Sequence, residues 1–192
     1  MLSFSRICLV CLLTCFTVFA ASAQNGQVRA SPKATTSQTL GADTEITFAY
    51  SRPAVKQREV WGGLVRYGME EGNQYSNNKP FPWRAGANEN TTVTFSKDVT
   101  VEGESLPAGT YSLHMIPAEN EDWTVIFNKV TDGWGSYTYD ETQDALRINV
   151  SPEDAPMQEW LTFGFDDMTE SSTEAYLHWE KLKVPFAIAL AE

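Results

Sequence analysis

The segment from Tyr111 to Phe127 reads YSLHMIPAENEDWTVIF, and apolar side chains alternate with other residues on both sides of its polar middle. The alternating apolar positions are Tyr111, Leu113, Met115, Trp123, Val125 and Phe127. A period of two is typical of strands that bury one face, because successive side chains along a strand point to opposite sides. The segment therefore predicts two half-buried strands and points to an all-β fold.

The same alternation recurs along the chain and predicts nine strands in all. The other seven centre on residues 46–50, 93–95, 99–101, 146–150, 161–165, 175–179 and 184–188. Turn-forming residues separate them at intervals of about ten residues, which is typical of antiparallel sheets. Nine strands do not fit one flat sheet, so we predict an antiparallel two-sheet sandwich, jelly-roll-like, in preference to a closed barrel. Helix is predicted to be at most a turn or two, at residues 60–67 or 152–158.

The first 23 residues have the pattern of a signal peptide. Arg6 precedes an apolar run, and the small residues Ala21 and Ala23 suit cleavage after Ala23. We therefore predict an exported protein, periplasmic or secreted, with residues 24–30 as a flexible tether and residues 31–190 as a single β-sandwich domain. An alternative is a lipid anchor at Cys15, although Thr14 is bulkier than the residue that usually precedes such a cysteine.

Composition argues against several classes of function. The 192-residue chain has a formal net charge of −11, which disfavours nucleic acid as a partner because phosphate binding needs a basic surface. Its cysteines, Cys8, Cys11 and Cys15, all lie in the leader, so we predict no disulfide and no thiolate chemistry in the domain. No segment after the leader is apolar enough for a transmembrane span, and we predict no cofactor.

Residues 51–90, which we call the long connection, break the strand rhythm, and there we predict the functional site. Loops longer than about 12 to 15 residues in a compact domain tend to be functional or disordered. Cationic and aromatic side chains concentrate here and at a second loop around Trp134. Cationic groups bind carboxylates, phosphates or sugar hydroxyls, and aromatic rings stack on sugar faces. The candidate ligand-binding residues are Arg52, Lys56, Arg58, Trp83, Arg84, Asn88, Glu89, Trp134 and Tyr137. The structural alternative is that Arg84 and Glu89 clamp the connection to the sandwich while the tryptophans plug its ends.

Acidic residues and histidines were candidates for catalysis or metal binding as well. Carboxylates cluster around one loop at Asp132, Asp140 and Asp144, where they could pair with Glu89 for hydrolysis or hold calcium. Clustered acids in so acidic a protein are more often a solvated face, and we predict no metal site. His114 and His178 are predicted on polar strand faces, and neither a zinc-binding histidine pair nor a nucleophile elbow accompanies them.

A series of ordered motifs runs through the chain. It includes Tyr50-Ser51-Arg52-Pro53, Trp83-Arg84-Ala85-Gly86-Ala87-Asn88-Glu89, Leu106-Pro107-Ala108-Gly109-Thr110-Tyr111, Trp179-Glu180 and Val184-Pro185-Phe186. Over residues 31–188 the series resembles a bacterial family catalogued as domain of unknown function 2911. The resemblance implies an exported, mostly β domain and supplies no established activity.

The chain departs from that family pattern at three places. Arg66 stands where the family usually has proline, and Ala85 stands where it usually has threonine. Residues 69–82 separate two motifs, Tyr67-Gly68 and Trp83-Arg84, that the family joins almost directly. Because loops accept insertions readily, these departures imply an intact fold with a reshaped or covered site.

From the residues and the resemblance together, we predict a non-catalytic binding module for a glycan or small polar ligand. Two alternatives stay open, namely a hydrolase that uses a carboxylate pair and a structural or assembly module of the cell envelope. Convergence of the candidate residues on one concave pocket would favour binding, whereas dispersal into packing roles would favour a structural module.

Overall fold

The computed structural model describes residues 28–191 and is all-β. Its ten strands are β1 (Lys33–Leu40), β2 (Thr44–Ser51), β3 (Thr91–Phe95), β4 (Val99–Val101), β5 (Glu104–Leu106), β6 (Gly109–Ile116), β7 (Trp123–Asn128), β8 (Asp144–Val150), β9 (Glu153–Asp166) and β10 (Ser172–Leu190). The only helix in this part of the chain is one 3-10 turn, Glu141–Gln143.

The strands form two antiparallel sheets. The first sheet has six strands in the order β1-β2-β3-β6-β7-β8, and the second has four in the order β5-β4-β10-β9. After β3 the chain leaves the first sheet, forms β4 and β5 at one side of the second, and returns as β6 beside β3. Every ladder between these ten strands is antiparallel, and none joins one sheet to the other.

Aromatic side chains hold the two sheets face to face. Phe48 of β2 stacks on Phe163 of β9 with ring centroids 4.8 Å apart, and Phe127 of β7 meets Phe186 of β10 edge-on at 6.2 Å. These four rings are almost completely buried and belong to one contiguous core. The prediction of an all-β protein with two antiparallel sheets is confirmed, while the finer jelly-roll-like description stays a prediction.

The strand boundaries differ from the predicted ones for physical reasons. β10 is one strand of 19 residues where the sequence predicts two, and it continues through register shifts on either side of Glu180. β1 carries no apolar face apart from its end, because it is an edge strand held by its ladder to β2 and by the 3.1 Å contact between the Thr36 and Tyr50 hydroxyls. β1 and the short β5 are therefore strands without the expected alternation.

The limit of a turn or two of helix is confirmed by the single 3-10 turn in the described residues, but both predicted positions are wrong. Residues 153–158 form the start of β9, where Gln158 pairs with Glu180 of β10, so a ladder partner distant in sequence outweighs local helix propensity. Residues 60–67 form tight turns, in which Gly62 N donates to Val65 O at 2.8 Å and Val65 N donates to Val60 O at 2.8 Å. Gly62 has a φ of +81°, which a helix does not accommodate.

Several predictions fall outside the described residues. The signal peptide (residues 1–23), the anchor at Cys15 and most of the tether lie before Val28. Among residues 28–191, no helix is long and apolar enough to cross a membrane.

Candidate functional site

The long connection bridges the two sheets at one end of the sandwich. Near its start, Val55 N donates to Glu159 O of β9 at 2.9 Å. Near its end, Trp83 and Met115 of β6 exchange two backbone hydrogen bonds, at 2.9 and 2.8 Å. Because β6 belongs to the first sheet and β9 to the second, these anchors place the connection across the mouth of the hydrophobic core.

A cavity of about 460 Å³ opens between the long connection and this end of the sandwich, and we call it the indole cavity. Its volume is within the roughly 300–1,000 Å³ of small-molecule sites. Five of the nine candidate residues line it, namely Lys56, Arg58, Trp83, Arg84 and Asn88. The lining also includes residues that the sequence did not single out for the site, among them Ala30, Ser31, Leu64, Glu70 and Trp179.

Tryptophan rings form the inner wall of the indole cavity. Trp83 and Trp179 are stacked, with centroids 6.3 Å apart and planes 16° apart, and Trp61 meets each of them edge-on at 5.7 Å. Trp83 belongs to the hydrophobic core and Trp61 packs against it, so both rings also close this end of the core. The buried Nε1 atoms of Trp61 and Trp179 have no hydrogen-bond partner within residues 28–191, an uncommon feature in a native interior.

Three cations line the indole cavity without a carboxylate partner. Arg58 donates from Nε to Val55 O at 3.1 Å, and Arg84 donates from Nη1 to Asn88 O at 2.8 Å, so backbone carbonyls fix the two guanidinium groups. Within the described chain, no carboxylate oxygen lies within 4.0 Å of the charged nitrogens of Lys56, Arg58 or Arg84. Six other basic side chains do form such pairs, namely Arg29, Lys33, Arg66, Lys97, Arg147 and Lys183. In the described residues, Arg52, Lys79, Lys129 and Lys181 also lack one, so the feature that distinguishes the three cations is their position around one cavity.

The backbone around the indole cavity is held in unusual conformations. Lys56, Ala85 and Asn88 have φ values of 48°, 49° and 63°, in the left-handed region that side chains other than glycine seldom adopt. Gly86 beside them is tightly enclosed, since a Cβ there would lie 2.7 Å from Oγ1 of Thr91. Strained residues of this kind cluster at ligand sites more often than elsewhere.

Arg84 is positioned by a second loop, residues 129–143. Its guanidinium carbon lies 5.4 Å from the centroid of the Tyr137 ring, a cation–π distance. Gly135 of the same loop packs directly on the guanidinium, because a Cβ at that glycine would lie 2.4 Å from Cζ of Arg84. The glycine thus leaves the space that the guanidinium occupies.

The substitution Gly135→Ala is expected to displace the Arg84 guanidinium from the Tyr137 ring. Gly135 has a φ of +67°, so part of the cost is backbone strain. The matched control is Gly103→Ala, since Gly103 has a φ of +81° and nothing within 4 Å of the position of a Cβ. Urea unfolding should show Gly135→Ala less stable than the control by about 1–3 kcal/mol, the usual cost of overpacking. Equal losses in the two variants would show that the guanidinium moves aside freely.

His114 lies beneath the same loop, on a face of the first sheet that is polar, as predicted, but covered. It is 2% exposed because residues 129–143 cover that face of the first sheet. Its Nε2 lies 2.9 Å from Oγ of Ser112, and its Nδ1 lies 2.8 Å from Oγ of Ser136, next to Gly135. Burial lowers the pKa of His114 to about 4, with Asp144 opposing and Arg84 adding to the shift. A neutral imidazole therefore helps to hold the loop that positions Arg84.

Four candidate residues lie elsewhere. Arg52 donates from Nε to Leu161 O at 2.7 Å and does not line the indole cavity. Glu89 accepts from Arg29 at 2.6 Å, an interaction that lowers the pKa of its carboxyl to about 2. Trp134 is 57% exposed and does not line the cavity, whereas Tyr137 lines a neighbouring one.

Two of the three clustered acidic candidates, Asp140 and Asp144, have local partners. Asp144 accepts from Asn128 Nδ2 at 2.7 Å and from the Tyr139 hydroxyl at 2.8 Å. Asp140 caps the 3-10 turn by accepting from Thr142 N at 3.0 Å. In residues 28–191, no group of three or more histidine, cysteine, aspartate or glutamate side chains is placed to hold a metal ion.

Two wall residues of the indole cavity had weak sequence signals. Trp179 reads as an ordinary inward-facing strand residue, although it belongs to the family-like motif Trp179-Glu180. Glu70 lies at the start of the inserted segment, and only its antiparallel bridge to Phe81 brings it to the cavity.

A family model described as "Protein of unknown function (DUF2911)" matches residues 31–188. Neither the curated proteins nor the solved structures include one that matches this chain.

Proposed function

Since the chain belongs to the DUF2911 family, which carries no described activity, its own geometry has to suggest a function, and we propose that the indole cavity binds a small anionic ligand of sugar size. The observation that carries this proposal is the group of three cations, Lys56, Arg58 and Arg84, without a carboxylate within 4.0 Å in the described chain.

Charge supports an anion rather than a neutral ligand. The protein has a net charge of −11, yet Glu70 is the only acidic residue among the residues that line the indole cavity. Oε2 of Glu70 lies 3.9 Å from Nε of Arg66, a residue that does not line the indole cavity. A cationic cleft in an acidic protein attracts small anions against the overall charge, because walls of low dielectric focus the local field.

The tryptophan wall supports a ligand with a flat, weakly apolar face. Trp83 is 7% exposed and offers a small apolar patch beside the guanidinium groups, whereas Trp179 is 1% exposed and only closes the wall. An apolar patch of this kind suits the C–H groups of a pyranose, whose hydroxyls and carboxylate then meet the polar groups. A sugar acid combines both features, and we propose this class of ligand.

Calorimetric titration of the purified protein with D-glucuronate tests the proposal, with D-glucose as a neutral ring of similar size. We expect glucuronate to bind more tightly than glucose. Arg84→Gln and Lys56→Gln should each weaken glucuronate binding by roughly 10- to 100-fold, because a hydrogen bond to a charged group contributes about 1.5–3 kcal/mol.

The matched control is Lys181→Gln, which removes the same charge from an exposed residue outside the indole cavity. It should leave glucuronate binding unchanged. Lys56 is exposed and its side chain makes no hydrogen bond within residues 28–191, so Lys56→Gln tests the site even if Arg84→Gln disturbs the loop. No binding of glucuronate, or binding that both site variants leave intact, would contradict the proposed function.

A further inference from the structure

Two further cavities adjoin the indole cavity along the long connection. The first, which we call the middle cavity, has a volume of about 380 Å³ and shares Glu70, Trp83 and Arg84 with the indole cavity. The second, the tyrosine cavity, has a volume of about 780 Å³ and shares Phe81 and Tyr137 with the middle cavity. The three cavities therefore follow one another along a single surface.

Charge changes in one direction along this surface. The indole cavity has three cations and one carboxylate in its lining. In the middle cavity, Arg66 is paired with Glu71 at 2.9 Å and with Glu70 at 3.9 Å, so the acids of that lining are largely neutralised. The tyrosine cavity has one cation, Lys79, against Asp140 and Glu141. An anionic group is therefore favoured only at the indole end.

Aromatic rings line all three cavities, whereas the excess of positive charge is confined to the indole cavity. Tyr137 contacts Arg84 in the middle cavity and meets Phe81 edge-on at 5.2 Å. Tyr75 follows at 5.5 Å from Tyr137, and it is 66% exposed. An exposed ring beside a cavity offers stacking surface to a ligand that extends beyond the indole cavity.

The inserted segment that carries Tyr75, residues 69–82, is held in a defined conformation by its own hydrogen bonds. Glu70 and Phe81 exchange two backbone hydrogen bonds at its base, at 2.8 and 3.2 Å. Inside it, Asn73 Oδ1 accepts from Tyr75 N at 2.8 Å, and the buried Ser76 donates from Oγ to Lys79 O at 2.7 Å. Tyr75 is thus presented by a defined backbone next to the tyrosine cavity.

We propose that the three cavities are consecutive subsites for an oligosaccharide with one acidic terminal residue. This inference rests on the proposed function, because the acidic residue enters the indole cavity. The neutral residues extend past Arg84 and Tyr137 and reach Tyr75.

The backbone along this surface favours a sugar chain over a peptide. An extended peptide binds by adding a strand to a free sheet edge. Here the backbone groups of Phe81 are already paired with Glu70, and those of Trp83 with Met115. The exposed Tyr75 ring and the half-buried Tyr137 ring remain as the contact surface, and these suit the faces of pyranose rings.

The experiment compares D-glucuronate with xylo-oligosaccharides of two, three and four rings that end in a glucuronosyl residue, by titration calorimetry on the purified protein. We expect affinity to rise by about tenfold or more from the single sugar to the longest member, through added stacking on Tyr137 and Tyr75. Tyr75→Ala should abolish the gain in affinity that the last ring of the longest ligand provides. It should leave D-glucuronate binding within about twofold of the parent protein.

The control variant is Tyr67→Ala, an exposed tyrosine of the same long connection that lines none of the three cavities. It should leave the whole series unchanged. Affinity that does not depend on chain length, with glucuronate still bound, would overturn the subsites but not the proposed function. No binding by any member, glucuronate included, would overturn both.

Two further probes test the ligand class. Neutral xylo-oligosaccharides of matching length should bind more weakly than the acidic ones. Equal binding would overturn the proposal that the ligand ends in an acidic residue. The peptide Gly-Gly-Gly-Glu should not compete with the four-ring ligand, and competition at similar concentrations would overturn the choice of a sugar chain.

Discussion

Acidification from pH 7 to pH 4 is expected to lower the free energy of unfolding by about 3 kcal/mol through His114 alone. Burial lowers the pKa of this histidine from 6.5 to about 4 in the folded protein. Below pH 6.5 the unfolded chain therefore binds a proton that the folded protein excludes, and stability falls until the pH reaches the folded pKa. About 2 kcal/mol of the loss should appear above pH 5, before most carboxylates of the unfolded chain protonate.

Urea unfolding at pH 7, 6, 5 and 4 measures this effect. His114→Gln keeps a polar group between Ser112 and Ser136 but removes the titration, so its stability should be lower at pH 7 and nearly constant down to pH 5. His178→Gln is the control, because His178 lies on β10 away from that cluster, and its one side-chain hydrogen bond within residues 28–191 is the donation from Nε2 to Pro156 O at 2.9 Å. A loss between pH 7 and 5 that is as large in His114→Gln as in the parent protein would contradict the assignment.

Truncation of Phe163 to alanine should destabilise the fold by about 3–5 kcal/mol, the cost of removing a buried aromatic ring and leaving a cavity. Phe163 is 1% exposed, stacks on Phe48 at 4.8 Å and meets Tyr50 edge-on at 4.9 Å. Since Phe163 belongs to the second sheet and its two partners to the first, the ring contributes directly to the attachment of the sheets.

Met157→Ala on the same strand is the comparison for Phe163→Ala. Met157 is 51% exposed, so its truncation should cost less than about 1 kcal/mol. Both values come from urea unfolding at pH 7. Similar losses for the two variants would show that the sheets do not depend on the Phe48–Phe163 stack.

The sequence predicts a strand where one row of side chains faces the core, because that produces an alternating pattern. It does not predict a strand that is held mainly by hydrogen bonds to a neighbouring strand. The sequences of β6 and β7 alternate because one row of side chains faces the sandwich, although Ser112, His114 and Ile126 of the other row are also buried, on the opposite face of the sheet. β1 has almost no buried face, and the start of β9 is mostly exposed, so neither shows the pattern. Both are held by ladder hydrogen bonds to partners that no local pattern identifies.

The sequence predicts which types of residue form the candidate site, but not which of them lie together around one cavity. Lys56, Arg58 and Arg84 attract notice as cations in an acidic chain, and the structure places all three around one cavity. Arg52 looks equivalent in sequence, yet it bonds to Leu161, whose position 109 residues later no local pattern relates to it. The space that Gly135 leaves for Arg84 depends on a contact between two loops, so only the coordinates reveal it.

The position of β1 has a practical consequence for surface immobilisation. Ala30 and Ser31 line the indole cavity, and β1 then runs from Lys33, paired with Ser51, to Leu40 at the opposite end of the sandwich. The last strand finishes at that opposite end, where the Leu190 side chain packs beside Gly41. A tag or resin joined at Val28 would therefore start near the cavity rim, whereas one joined at Ala191 would leave the cavity mouth facing the solution.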